Sequence, residues 1–147
     1  MLIRVTPDVL VTQEAIDAVA SPRAGAINVF LGVVRDNNLG REVDFLEYEA
    51  YPSMAEKVMG EIGAEAIQRF KFEDVAILHR TGKLLVGETS LLIAVSSGHR
   101  AESFEGGHWL VNEIKKRVPV WKKEVWADGE SWIEGPESMG MQAPTLR

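Results

Sequence analysis

The sequence predicts an α+β protein with a mixed, largely antiparallel sheet and about three helices. Three observations point there. Two long segments, 52–70 and 100–117, carry apolar residues at helical spacing. Strand-like runs follow one another with no helix between them, at 26–34 and 43–50 and again at 74–80 and 90–95. Turn-forming residues separate the members of each pair, Asn37-Asn38 and Gly40 in the first, Gly82 and Gly87 in the second.

The elements follow in order. Residues 2–5 read as a short strand. Thr12 is placed to cap a helix over 13–20, with Glu14 in its first turn and Ser21-Pro22 closing it. The apolar run 26–34 suits a buried central strand. A second strand covers 43–50. Pro52 opens the long helix, where a missing N–H costs nothing. Ala55, Val58, Met59, Ile62, Ala66 and Phe70 share one face of it. Strands follow at 74–80 and 90–95. The third helix runs over 100–117 and Pro119 ends it, because a residue before proline leaves the helical region. Residues 120–126 form a further strand and Asp128-Gly129 a turn. Residues 135–147 lack periodicity and read as a mobile tail, which leaves one domain over 1–134.

Composition removes several function classes. With 147 residues the chain has the length of one domain, and 46% hydrophobic residues give it a core. It has no cysteine, so a disulfide scaffold, a cysteine nucleophile and thiolate metal sites are excluded. Three histidines, His79, His99 and His108, are too few for a multi-histidine metal site. No run approaches the roughly 20 apolar residues that span a bilayer, and no basic–apolar leader opens the chain. The expected location is the cytoplasm. Net charge is −6, which disfavours nucleic acid and anionic membranes. Yet Lys115, Lys116, Arg117, Lys122 and Lys123 concentrate five of the 16 basic residues in one segment.

That segment is where chemistry is sought. At about 100° per residue, with Val111 at zero, Phe104 falls at about +20°, Val118 at about −20°, Ile114 at about −60° and Lys115 at about +40°. Lys116 points away from this apolar stripe. Lys115 is then either a lysine whose stem covers apolar surface or one held in a pocket for use. Lys122 follows the Pro119 break, where a chain reversal would converge two ammonium groups. Convergence implies an anion between them; otherwise both heads fan into water. Ser96-Ser97-Gly98-His99-Arg100 marks a strand end and a helix start. A serine there can cap the helix, and Arg100, unfavourable beside the helix dipole, makes sense with a bound anion. The plainer reading pairs Arg100 with Glu102. Arg35 ends an apolar strand at a turn, a common place for ligand-binding groups, or is an ordinary edge arginine. His79 and His108 read as mainly structural. No serine triad, phosphate loop, dinucleotide fingerprint or metal cluster is present. What remains is a cationic pocket without a metal and without a cofactor, suited to a phosphate-bearing small molecule.

Taken together, the stretches 25–36 with Gly32-Val33-Val34-Arg35-Asp36, Gly40-Arg41, Leu46-Glu47-Tyr48-Glu49-Ala50-Tyr51, Met54-Ala55-Glu56-Lys57, and His79-Arg80-Thr81-Gly82-Lys83-Leu84 with Gly87-Glu88 form a pattern. Ser96-Ser97-Gly98-His99-Arg100-Ala101, Ile114-Lys115, Val118-Pro119-Val120-Trp121-Lys122-Lys123-Glu124, Asp128-Gly129-Glu130 and Trp132 complete it. Over 24–134 the chain resembles the large, catalytic subunit of molybdopterin synthase, a sulfurtransferase of molybdenum cofactor biosynthesis. The resemblance implies an α/β-hammerhead fold and a homodimer flanked by two small ubiquitin-like sulfur-carrier subunits in a heterotetramer. It implies that each carrier inserts a C-terminal Gly-Gly thiocarboxylate. Two sulfurs then pass to cyclic pyranopterin monophosphate to make the dithiolene of molybdopterin. By position, Lys115 and Lys122 match the catalytic lysines. Arg35, His99 and Arg100 match substrate-anion contacts, the last two contributed across the dimer. Val33, Val34, Lys123 and Glu124 line the same pocket. Two other classes stay open on the residues alone. One is a basic module for nucleic acid or an acidic partner. The other is a non-catalytic scaffold for an anion or a ubiquitin-like tail.

Overall fold

A computed structural model describes residues 1–134; the expected tail at 135–147 lies outside them. The chain runs β1 (Leu2–Thr6), α1 (Thr12–Val19), β2 (Ala26–Val33), β3 (Asn37–Asn38), β4 (Arg41–Glu42), β5 (Phe45–Ala50), α2 (Pro52–Phe70), β6 (Phe72–Arg80), β7 (Gly82–Leu85), β8 (Thr89–Ser97), α3 (Arg100–Arg117), β9 (Val120–Trp126) and β10 (Gly129–Glu134). The expected three helices are present, and both long ones keep the limits read from the sequence. The strands divide into two four-stranded sheets, ordered β1-β6-β8-β2 and β10-β9-β5-β7, with β3 and β4 as a separate small ladder. Among the described residues only β1–β6 is parallel; the other pairings are antiparallel.

Strand alternation explains how the first sheet is covered on both faces. Val75, Ile77, Leu91, Ile93 and Val95 point to one side and meet α2 and α3 through Ala55, Met59, Ile62, Ala66, Leu110 and Ile114. Ala76, Leu78, Leu92 and Ala94 point to the other and meet Ala15 and Val19 of α1. The second sheet has its own smaller core of Val34, Val43, Leu46 and Leu84.

Three expectations are corrected. Thr12 is the first helical residue, not the cap. Val11 holds the cap position and no side chain bonds there. Likewise no serine caps α3: His99 is the cap residue, and the Ser97 hydroxyl donates to the His99 carbonyl at 2.6 Å. The run 26–34 is not a central strand. β2 is the outer strand of its sheet, and Ile27, Phe30, Leu31 and Val33 stay exposed by 37–50%. Both of its faces are apolar, which is why it reads as buried.

α3 also departs from its wheel. Its buried residues are Ser103, Gly106, Leu110 and Ile114, so the packed face lies one step around from the Phe104–Val111 line. Phe104 is 66% exposed. A groove of about 280 Å³ runs between that line and β2, with Val29, Phe30 and Val111 among its lining residues.

Candidate active site

The two sheets meet beyond the C-terminal end of α3, and the seam between them is a cleft. Each wall of it has a local cause. On β2, the register shifts between Gly32 and Val33. The Ser90 hydroxyl donates to the Gly32 carbonyl at 3.2 Å, and a Cβ at Gly32 would press on Leu91 at 3.3 Å. The bulge turns the strand. Val34 is then pinned: its N–H donates to the Glu88 carbonyl at 2.9 Å, and its carbonyl accepts from the Gly87 N–H at 2.8 Å. Gly87 has φ +90°, a conformation only glycine takes without strain. This anchoring delivers Arg35 to the cleft while burying Val34.

The opposite wall comes from the Pro119 reversal. Val118 closes α3 by donating to the Ile114 carbonyl at 3.1 Å, and the Val120 N–H turns back to Val118 at 2.8 Å. Lys115 on the helix and Lys122 on β9 thereby face the same space. An inner cavity of about 70 Å³ is lined by both lysines with Tyr48, His79, Ile114 and Val118. An adjoining outer cavity of about 170 Å³ takes the same lysines with Val33, Arg35, Asn38 and Glu124. Gly32, Tyr48 and Ser90 border both. Lys115 is exposed at the rim, whereas Lys116 turns to Glu113 at 3.7 Å.

Among the described residues, three cations against one carboxylate make the outer cavity electropositive within an acidic chain. Glu124 is 4% exposed. It accepts from Asn38 Nδ2 at 3.0 Å and from Trp126 Nε1. Its charge is therefore engaged with the β3 ladder and with Trp126, over which Arg41 stacks at 4.0 Å. The net positive charge of this lining suits an anionic ligand. Among the described residues, no group of three or more His, Asp or Glu could hold a metal ion.

Four of the expected residues fall elsewhere. Val34 is buried in the small core behind the cleft. Lys123 is on the opposite face of β9 from Lys122 and Glu124. It is 9% exposed and ion-paired to Glu130, beneath Trp132. His99 and Arg100 sit exposed at the far end of α3. Fifteen helical steps take the chain from Arg100 to Lys115, about 22 Å at a rise of about 1.5 Å each. Val33, Arg35, Lys115, Lys122 and Glu124 come together.

Sequence reasoning gave no role to Tyr48, Ser90 or Asn38, and rated His79 structural. Tyr48 stands directly across the β5–β9 ladder from Lys122, a neighbour relation that only strand pairing reveals. His79 is in van der Waals contact with it across the sheet seam, ring centroids 5.1 Å apart.

The family model described as "MoaE protein" matches residues 5–117. The molybdopterin synthase catalytic subunit of Pyrococcus abyssi is 55% identical over 123 residues, 84% of this chain and 83% of that one. That of Bacillus subtilis is 44% identical over 122 residues, 83% and 78% of the two chains. The crystal structure of molybdopterin synthase from Staphylococcus aureus superposes with TM-score 0.86 at 36% identity, covering 89% of this chain and 96% of that one. A Helicobacter pylori complex of subunits 1 and 2 of molybdopterin-converting factor shares the fold, with TM-score 0.74 at 19% identity over 95% and 98% of the two chains. With the α/β-hammerhead fold shared and the family model spanning most of its length, the chain belongs to the MoaE family of molybdopterin synthase catalytic subunits.

Proposed function

We propose that this chain is the catalytic subunit of a molybdopterin synthase. It transfers two sulfurs from a thiocarboxylated small sulfur-carrier subunit to cyclic pyranopterin monophosphate. The observation that carries the reading is the convergence of Lys115 and Lys122, from either side of Pro119, on one cleft with Arg35. No cysteine is needed, because the carrier's thiocarboxylate brings the sulfur.

In this reading Arg35 holds the phosphate through charge-assisted hydrogen bonds. The carrier's thiocarboxylate sulfur attacks a side-chain carbon of the substrate. Water cleaves the resulting thioester to leave the sulfur on the substrate and a carboxylate on the carrier, and a second charged carrier delivers the second sulfur in the same way. Lys115 supplies charge or a proton as the cyclic phosphate opens and oxygen leaves. Lys122 stabilises the anionic intermediate and the incoming C-terminus. Glu124 holds the outer wall.

The homodimer fits what β2 and α3 expose. Ile27, Phe30, Leu31, Val33 and Phe104 form an apolar surface around an outer strand, and a second copy would cover it. His99 and Arg100, remote from their own chain's lysines, would then serve the partner's cleft. Two carrier subunits complete the heterotetramer. No helix among the described residues is long and apolar enough to cross a membrane, which supports a cytoplasmic setting.

Reconstitution tests the reading. Purified protein, thiocarboxylated carrier and cyclic pyranopterin monophosphate should yield molybdopterin. Lys115→Ala should lower turnover by at least about 100-fold, the scale of a lost acid–base group, with an unchanged melting midpoint. Near-wild-type turnover in that variant would sink the assignment of Lys115, and no product from a folded wild type with an active carrier would favour a non-catalytic scaffold.

A further inference from the structure

We propose that Tyr48 is a substrate-contacting residue of this cleft and that His79 is the positioning residue that holds it there. The activity arm of this inference rests on the catalytic reading above; its geometry does not.

Tyr48 borders both cavities. It pairs directly with Lys122 across the β5–β9 ladder, and opposed residues of an antiparallel pair share a face with Cβ atoms about 5 Å apart. The phenol is thus beside an ammonium group in an electropositive cleft. There it is a neutral donor that can fix the orientation of an anionic oxygen, which a lysine, as a rotating point charge, does poorly.

His79 stands where the first sheet meets the second. It is 7% exposed and lines the inner cavity. Its ring meets Tyr48 edge-on, at 63° between planes. Nδ1 is 2.9 Å from the Arg80 carbonyl. A carbonyl only accepts, so Nδ1 carries a proton and the ring plane is set by that bond. The anchor is itself held: Arg80 donates to the Pro7 carbonyl and to Glu88, both at 3.1 Å. A chain of fixed groups runs from the loop after β1 through Arg80 and His79 to the Tyr48 ring. Aromatic edge contacts of this kind restrict a ring's orientation beyond simple packing.

The experiment has two arms. In the first, lysines are 13C-methylated and the Lys122 signal is assigned by its loss in Lys122→Arg. His79→Asn keeps an N–H for the Arg80 carbonyl but removes the ring edge. It should move the Lys122 signal as the Tyr48 ring shifts, whereas Tyr48→Phe, which keeps the ring, should move it far less. Titration with inorganic phosphate, read on that signal, should show binding weakened at least about threefold in Tyr48→Phe, as a lost hydrogen bond predicts. In the second arm, Tyr48→Phe and His79→Asn should each lower kcat/KM by about tenfold, and the double variant should lose no more than the worse single, because the two act as one unit. An unmoved Lys122 signal in His79→Asn, unchanged phosphate binding in Tyr48→Phe, or losses that add in the double variant would each overturn the inference. If wild-type protein makes no product, the catalytic reading fails and the spectra alone decide this one. Should His79→Asn not fold, His79→Gln replaces it in both arms.

Discussion

Glu124 and Glu88 show how single carboxylates hold the cleft in shape. Glu124 is buried, with its oxygens occupied by Asn38 and Trp126. Glu124→Ala would orphan both donors, so the melting midpoint should fall by an amount equivalent to roughly 1–3 kcal/mol. Glu88 works through charge. The Leu85 N–H and then Arg80 hold its carboxyl below the usual value of 4.5, at 2.7 and 3.1 Å. A depressed folded pKa means that its contribution is fully present above the unfolded value and is lost as pH falls through the folded one. Wild type should therefore exceed Glu88→Gln in melting midpoint at pH 6 to 7, with the gap closing below about pH 4.5; a gap that persists in acid would refute the sign. At this scale the sequence was legible in part. Lys115, Lys122 and Arg35 could be singled out because a cation beside an apolar stripe, or at a strand end, breaks a local pattern. Tyr48 and His79 break none. An aromatic in a strand and a histidine at its end look like core, and only the pairing of β5 with β9 and the approach of two sheets make them neighbours.

Among the elements, α3 shows what periodicity settles and what it leaves open. Its limits follow from the strand that precedes it and from Pro119. Its buried face does not, because Gly106, with no side chain to count on a wheel, is one of its tightest contacts. Phe72 and Phe70 stack with centroids 5.8 Å apart, and a Cβ at Gly106 would overlap the Phe72 ring and stand 2.9 Å from Phe70 Cγ. Gly107, one residue on, meets nothing within 4 Å. The pair gives a controlled test. Gly106→Ala should destabilise by about 1–3 kcal/mol, as overpacked sites do. Gly107→Ala should leave stability unchanged or raise it by up to about 1 kcal/mol through helix propensity. Chemical denaturation of the two variants checks both, and equal effects would mean that the α3 packing is wrong. The same limit explains the unforeseen strands. The two-residue β3 and β4 are too short to carry a period, and β10 and β7 are defined by their partners β9 and β5 rather than by their own alternation.

For the whole molecule, the outer position of β2 and the remoteness of Arg100 from Lys115 are one problem with one solution. An apolar run that reads as buried lies exposed on a single copy, and a predicted anion contact lies about 22 Å along α3 from the lysines it should serve. A two-fold dimer presents the same patch twice. The proposed dimer would cover β2 and bring His99 and Arg100 of one copy to the cleft of the other, so that each cleft would draw on both chains. Subunit mixing then has a sharp outcome. Lys115→Ala and Arg100→Ala homodimers should both be nearly inactive. In a mixed dimer, one cleft carries both lesions, while the other combines an intact Lys115 with the partner copy's intact Arg100. That second cleft should work. Random exchange makes half the dimers mixed, so activity should return to about a quarter of the wild-type level, as two-fold symmetry requires. Recovery would assign Arg100 to the neighbouring copy's cleft. If mixing restores nothing although subunits exchange, as followed by a mass tag on one variant, then Arg100 does not act across the interface.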